Sequence, residues 1–316
     1  VNISSLKIEK IVDGDKESLL SISSLIEVGS DLYFIGSQHN HDGTMLEEHI
    51  IKLSKSKLIK ISSGGMFNQI FSLQDKLYAV GLRKRFDWPT NTTILKVSEN
   101  GKLIFLEHSF DRNVVSVKTH NNEIFCLYED SGKTLLRNVS QKKTIIEEDI
   151  TIKDFNFIGD DLYVIANSFS RPDEIFKLVN EKLERLSNIN DDFNNKVKTF
   201  DCAYRRINTG QSEIDTWGIF VGKNKPTLLN IHGGPASQYG YTFFDEFQTY
   251  ASAGFNVIAC NPRGSTGRGH DFLRDVCGRK WGVNDVHDVL TSFKKMIKIM
   301  GIENKNYGIM GGSYGG

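Results

Sequence analysis

The chain has 316 residues, more than one ordinary hydrophobic core organises, and the length predicts about two domains. Its 39 Lys and Arg balance 39 Asp and Glu, so no basic face argues for a nucleic acid or an anionic membrane surface as partner. No apolar run reaches the roughly 18 residues of a membrane span, and the expectation is a soluble protein without membrane or nucleic-acid partners.

The N-terminal stretch Val1-Asn-Ile-Ser-Ser has neither the charged region nor the apolar core of a signal peptide. Position 1 is not Met, so the N-terminus is read as incomplete. Lys7 to Val12 reads as the outer strand of something earlier. A self-similar pattern follows: Asp31-Leu-Tyr-Phe-Ile-Gly, Lys76-Leu-Tyr-Ala-Val-Gly, Glu123-Ile-Phe-Cys-Leu-Tyr and Asp161-Leu-Tyr-Val-Ile-Ala. Each copy is preceded by one short apolar run and followed by two more. Four strands in about 40 to 50 residues is the period of a β-propeller blade. Alternation is of period two, and turns such as Glu99-Asn-Gly and Asp130-Ser-Gly punctuate it. The spacing predicts blades near 21–64, 67–110, 113–149 and 152–190, with the four named strands in equivalent places.

The propeller stretch holds little that carries chemistry. The pairs Glu47-Glu48 and Glu147-Glu148 read as solvated carboxylates rather than a clamp for a peptide amino terminus. His39 and His41 have metal-like spacing but sit in a turn-rich segment without a third ligand, and they read as loop residues. Arg83-Lys84-Arg85 reads as a hairpin end. No metal site or cofactor is expected.

Asn188 to Asn195 is asparagine-rich and breaks the strand pattern as a linker does. The boundary therefore separates 1–192 from 193–316. Beyond it, strands are predicted at 197–206, 214–221, 227–231, 255–260 and 306–311, with helices near 241–253 and 284–300. This alternation is that of an α/β sheet. Val286, Val289, Leu290, Phe293, Met296, Ile297 and Met300 form the apolar stripe of a sheet-covering helix. Asp285 and Asp288 in its first turn suit the helix dipole and read as structural. Arg263 is expected to shape its loop or pin a neighbouring helix, and Trp281 to pack below the site. Four dispersed cysteines, Cys126, Cys202, Cys260 and Cys277, read as free thiols of a reducing, cytoplasmic compartment.

The last residues, Tyr307-Gly-Ile-Met-Gly-Gly-Ser-Tyr-Gly-Gly316, are a short strand entering a Gly-x-Ser-x-Gly turn. A serine at such a strand-to-helix tip is held at strained angles with glycines around it, and its hydroxyl is lifted clear of the sheet. Upstream, Thr227 to Pro235 ends a strand in His-Gly-Gly-Pro, a loop of the kind that gives a backbone donor to an oxyanion hole. Residues 255–269 add a third strand and the loop Asn-Pro-Arg-Gly-Ser-Thr-Gly-Arg-Gly.

These motifs, with Trp281-Gly282 and Asp285 between them, resemble the prolyl oligopeptidase family of serine peptidases, and most the acylaminoacyl-peptidase branch. The motif match covers about residues 197–316. The resemblance implies a β-propeller followed by the N-terminal part of an α/β-hydrolase domain, and a peptidase acting on short peptides through an acyl-enzyme at Ser313. It also implies oxyanion donors at the backbone N–H of Tyr314 and of Gly234. In this family order the acidic residue and then the histidine follow the serine. All eight histidines here precede it, so the chain is expected to be a C-terminally truncated, inert form. A carboxylesterase on the same fold and a non-catalytic propeller binding protein are the alternatives.

Overall fold

The structure, a computed structural model, describes Val12, residues 19–39, Gly43 and residues 46–55, 57–84 and 87–316. The strand expected at 7–12, His41 and Arg85 fall outside the described residues, apart from half-buried Val12.

Most of the chain up to residue 185 is antiparallel sheet. β1 (Ser21–Val28), β2 (Asp31–His39), β3 (Leu46–Ser54) and β4 (Lys57–Lys60) pair in sequence order, as do β5 (Met66–Leu73), β6 (Lys76–Leu82), β7 (Thr93–Val97) and β8 (Leu103–Phe105). The same arrangement recurs in β9 (Asn113–His120), β10 (Glu123–Asp130), β11 (Lys133–Asn138) and β12 (Lys143–Ile146). It recurs again in β13 (Thr151–Ile158), β14 (Asp161–Ser168), β15 (Arg171–Val179) and β16 (Lys182–Arg185). The four recurring hexapeptides each begin the second strand of a four-stranded meander, as their spacing predicts. The third and fourth meanders touch through one parallel pair, Thr134 with Thr151.

The first turns of the second and third meanders are built alike. Gln74 and Asp75 have φ of 50° and 57°, and Asn121 and Asn122 have 46° and 60°. Two successive left-handed residues match the right-handed twist of the flanking strands.

The chain divides into two compact units, Val1–Trp88 with Thr92–Phe110 and Pro89–Asn91 with Asp111–Gly316. In the first, Ile35, Ile50, Phe67, Ile70 and Leu95 form the core. Glu48 there is not simply solvated, because its carboxylate accepts the Phe67 N–H. His39 closes strand β2 instead of lying in a loop, and Arg83 stacks over the Phe105 ring at 4.3 Å.

In the second unit the stretch read as a linker is ordered. Asp191–Lys196 forms a short helix, α1. Buried Glu174 receives the N–H groups of Ile189 and Asn190 at 3.3 and 2.9 Å and the Arg185 guanidinium at 3.0 Å. The strand predicted from residue 197 begins only at β17 (Ala203–Asn208). Its early part is diverted because Gln248 takes both backbone groups of Phe200, at 2.7 and 3.0 Å.

β17 is followed by β18 (Glu213–Ile219), β19 (Thr227–Ile231), β20 (Asn256–Asn261) and β21 (Tyr307–Gly311) in one sheet of order β17-β18-β20-β19-β21. The first three in that order pair antiparallel, and β20, β19 and β21 run parallel. Helix α2 (Asp245–Ser252) lies between β19 and β20 in sequence, and its Phe247 and Ala251 pack with Trp217, Val257 and Ala259. A five-residue helix, α3 (His270–Arg274), precedes α4 (Asn284–Ile299), whose Val289, Phe293 and Met296 pack with Ile214, Leu229 and Ile258. β20 is buried along its whole length, as a parallel strand covered on both faces should be. Of the stripe predicted on α4, Val286 and Leu290 stay exposed, because contact runs through the Val289, Phe293 and Met296 row.

Candidate active site

Parallel strands deliver their following loops to one end of a sheet, and in open α/β sheets that end is where ligands bind. β19 lies between β20 and β21, and its last register pair joins Ile231 to Gly311. The His232–Pro235 loop is thereby set beside the Gly312-Ser313 turn, with the Pro262–Gly269 loop after β20 on its other side.

Ser313 has φ of 56°, a left-handed conformation that a residue with a side chain adopts only under constraint. A turn of 3-10 helix, Ser313–Gly315, follows, closed by Gly315 N–H to Gly312 O at 3.0 Å and Gly316 N–H to Ser313 O at 3.1 Å. Ser313 is exposed. The surrounding glycines are not equivalent. A Cβ on Gly311 would lie 2.1 Å from Gly315 O, and one on Gly315 would lie 2.2 Å from Ile231 O, whereas one on Gly312 meets nothing within 4 Å. Backbone crowding therefore requires glycine at 311 and 315 but not at 312.

The His-Gly-Gly-Pro loop lies against this turn. A Cβ built on Gly233 would stand 3.3 Å from the Ser313 Cβ and 3.2 Å from Gly312 O. Gly234, picked from sequence as a donor, has φ of 125°. Gly233 is the glycine that faces Ser313, and the glycine pair in the sequence is the signal for it. His232 is buried, with Nδ1 hydrogen-bonded to Gly233 O at 2.7 Å and Nε2 to the Ser265 hydroxyl at 2.9 Å, and that hydroxyl donates its own proton to Pro262 O at 2.7 Å. Burial pulls its pKa below the usual histidine value, so the ring is neutral. It links two loops and is committed at both nitrogens.

Arg263 pins α4. Its side chain is 7% exposed and that of Asp288 0%. Nε donates to Asp288 Oδ2 at 2.7 Å and Nη2 to Oδ1 at 3.0 Å, a bidentate fork. The same guanidinium reaches Asp275 at 3.0 Å and Gln211 at 2.8 Å. The Arg263 backbone N–H also donates to Asp288, at 3.1 Å. Asp288 lies in the second turn of α4, not in the first as expected, and its carboxylate is committed to Arg263. Asp285 has a more particular partner: its Oδ2 accepts the Tyr314 hydroxyl. Trp281 meets the Tyr314 ring edge-on at 4.7 Å, and it is 52% exposed rather than packed beneath the site.

The third meander and the loop after β20 also meet in this unit. Ser131 N–H donates to Gly267 O at 3.0 Å, and Asp111 accepts the His270 N–H at 2.8 and 2.9 Å. Glu129 on β10 accepts from Asn113 at 2.8 Å, and burial raises its carboxyl pKa. All four cysteines are free thiols.

Residues 241–316 match the profile of the prolyl oligopeptidase family. An uncharacterized peptidase of Bacillus subtilis (strain 168), YuxL, is 47% identical over 92 residues, 29% of this chain and 14% of that protein. Dipeptidyl-peptidase 5 of Trichophyton equinum is 24% identical over 308 residues, 87% of this chain and 41% of that protein. Among solved structures, the acylaminoacyl peptidase of Pyrococcus horikoshii superposes with a TM-score of 0.82 at 23% identity, covering 92% of this chain and 48% of that one. The likeness to that structure is one of fold, and the chain spans less than half the length of these relatives.

Proposed function

This chain belongs to the prolyl oligopeptidase family, and from that premise we propose that it is the propeller-bearing front part of a serine peptidase that cleaves short peptides through an acyl-enzyme at Ser313. In this reading residues 1–192 are propeller blades and residues 193–316 open an α/β-hydrolase domain. The observation that carries it is the turn itself: an exposed serine held at φ 56° between a parallel strand and a helical turn, against a glycine-rich loop.

The Ser313 hydroxyl attacks the peptide carbonyl, and the backbone N–H groups of Tyr314 and of the Gly233-Gly234 segment receive the oxyanion. One such donor is worth about 3 to 4 kcal/mol in the transition state. The hydroxyl itself needs a base. The Ser313 hydroxyl has no hydrogen-bond partner among the described residues, and His232 is held by Gly233 and Ser265. The base and its carboxylate are therefore assigned to residues outside this 316-residue sequence.

Two measurements test the reading. A fluorophosphonate probe should not label the 316-residue chain above a Ser313→Ala control, and rapid labelling would mean that a histidine within it serves as base. With the complete protein, short peptides and N-acylated peptides should be cleaved and Ser313→Ala should abolish cleavage. Hydrolysis of simple esters alone would replace the peptidase reading with a carboxylesterase.

A further inference from the structure

The elbow is held from behind by a contact that turn geometry does not require. Tyr314 follows the strained serine, and its N–H, at the start of a helical turn, has no intrahelical partner. Its side chain is fixed at two points, hydroxyl to Asp285 Oδ2 and ring to Trp281. Asp285 is 6% exposed, and its second oxygen, Oδ1, is buried without a hydrogen-bond partner among the described residues. A carboxylate placed only to favour the helix dipole would be better left in water, since a buried oxygen without a partner is unfavourable. Burial, and then the bond to Asp285, raise the Tyr314 pKa, so the phenol stays a proton donor to this carboxylate at neutral pH.

The same helix carries the second anchor. One turn beyond Asp285, Asp288 grips Arg263, whose loop reaches His232 through Ser265. Both segments that flank Ser313 are thus referred to the first two turns of α4.

We propose that Asp285 is a positioning residue of the active site: by holding the Tyr314 phenol it fixes the direction of the Tyr314 backbone N–H toward the oxyanion. This rests on the peptidase reading above. Asp285 acts through Tyr314 and touches no reacting atom.

The test uses the complete, active protein and the variants Asp285→Asn, Asp285→Ala, Tyr314→Phe and Asp285→Ala with Tyr314→Phe. For a peptide substrate, Asp285→Ala and Tyr314→Phe should each lower kcat by about 10- to 100-fold, the range for a misplaced catalytic group, with KM within about twofold. Affinity for a peptide boronate, which forms a tetrahedral adduct on the serine, should fall in parallel, while affinity for a non-hydrolysable peptide stays unchanged. The double variant should be no worse than the worse single one, and Asp285→Asn, whose amide oxygen still accepts from the phenol, should recover much of the loss. If Asp285→Ala or Tyr314→Phe folds and keeps wild-type kcat and boronate affinity, or if the two changes multiply, the assignment is overturned. If instead Ser313→Ala retains peptidase activity, the peptidase reading falls, and the boronate comparison shows that failure separately because wild type then forms no adduct.

Discussion

Replacing Arg263 by Met removes the cation from a site that holds two carboxylates. Its guanidinium gives Asp288 two bonds of 2.7 and 3.0 Å, Asp275 one of 3.0 Å, Gln211 one of 2.8 Å and Asn284 O one of 3.3 Å. An exposed pair would be worth about 0 to 1 kcal/mol. Here the Asp288 side chain is 0% exposed, and breaking a buried pair by deleting one partner typically destabilises by about 3 to 5 kcal/mol because a charge is left uncompensated. At about 1.4 kcal/mol per factor of ten, the folding equilibrium should weaken by roughly two to three and a half orders of magnitude, a large part of a margin of about 5 to 15 kcal/mol. Urea unfolding followed by tryptophan fluorescence reads this as a lower midpoint at unchanged slope. Arg263→Lys should fall between, since one ammonium does not reproduce the planar fork. Adding Asp288→Leu to Arg263→Met should restore part of the loss by removing the orphaned charge. A loss below about 1 kcal/mol for Arg263→Met, the range of a surface pair, would refute the reasoning.

Two further outcomes follow from particular contacts. Burial raises the Glu129 carboxyl pKa above its ordinary 4.5; an acid whose pKa is higher folded than unfolded contributes stability below the unfolded value and loses it as pH rises through the folded one. Glu129→Gln should therefore raise the Tm more at pH 7 than at pH 4, and an equal change at both would show that the carboxyl is not perturbed. A Cβ on Gly315 would lie 2.2 Å from Ile231 O and one on Gly312 would meet nothing within 4 Å. Gly315→Ala should then destabilise by about 1 to 3 kcal/mol and Gly312→Ala by no more than about 0.5 kcal/mol; equal losses in thermal unfolding would contradict the geometry.

What was legible in the sequence was what local pattern dictates. The meanders announced themselves because Leu-Tyr and Ile-Phe pairs recur where the second strand must bury its residues. The parallel strands did so because β20 is apolar enough to be buried on both faces. Contacts between distant segments were not legible. The first turns of two meanders use Gln74-Asp75 and Asn121-Asn122, where the other two carry the more obvious signal of a glycine, Gly29 or Gly159. The diversion of residues 197–202 depends on Gln248, some fifty positions away. Asp285 and Asp288 look alike in sequence, both acidic and near a helix start, yet one holds a tyrosine and the other an arginine. Side-chain partners are chosen by the assembled sheet, and composition and spacing carry no record of that choice.

The serine itself separates folding from chemistry. At φ of 56° a residue with a Cβ carries about 1 to 2 kcal/mol of left-handed strain, which glycine would relieve. Glycine in turn loses about 0.5 to 1 kcal/mol through the greater freedom of its unfolded chain. The balance makes Ser313→Gly neutral to about 1.5 kcal/mol more stable, whereas the same exchange at an ordinary strand or helix position destabilises. Ser313→Ala keeps the Cβ and its strain, so it isolates the effect of the hydroxyl. Comparing the two variants with wild type by urea unfolding gives a sign to read: Ser313→Gly at or above wild type, and Ser313→Ala near wild type. A Ser313→Gly protein at least about 0.5 kcal/mol less stable than Ser313→Ala would show that the turn is unstrained. Where the predicted order is found, folding alone prefers glycine at position 313, and the presence of a serine there is explained by its hydroxyl.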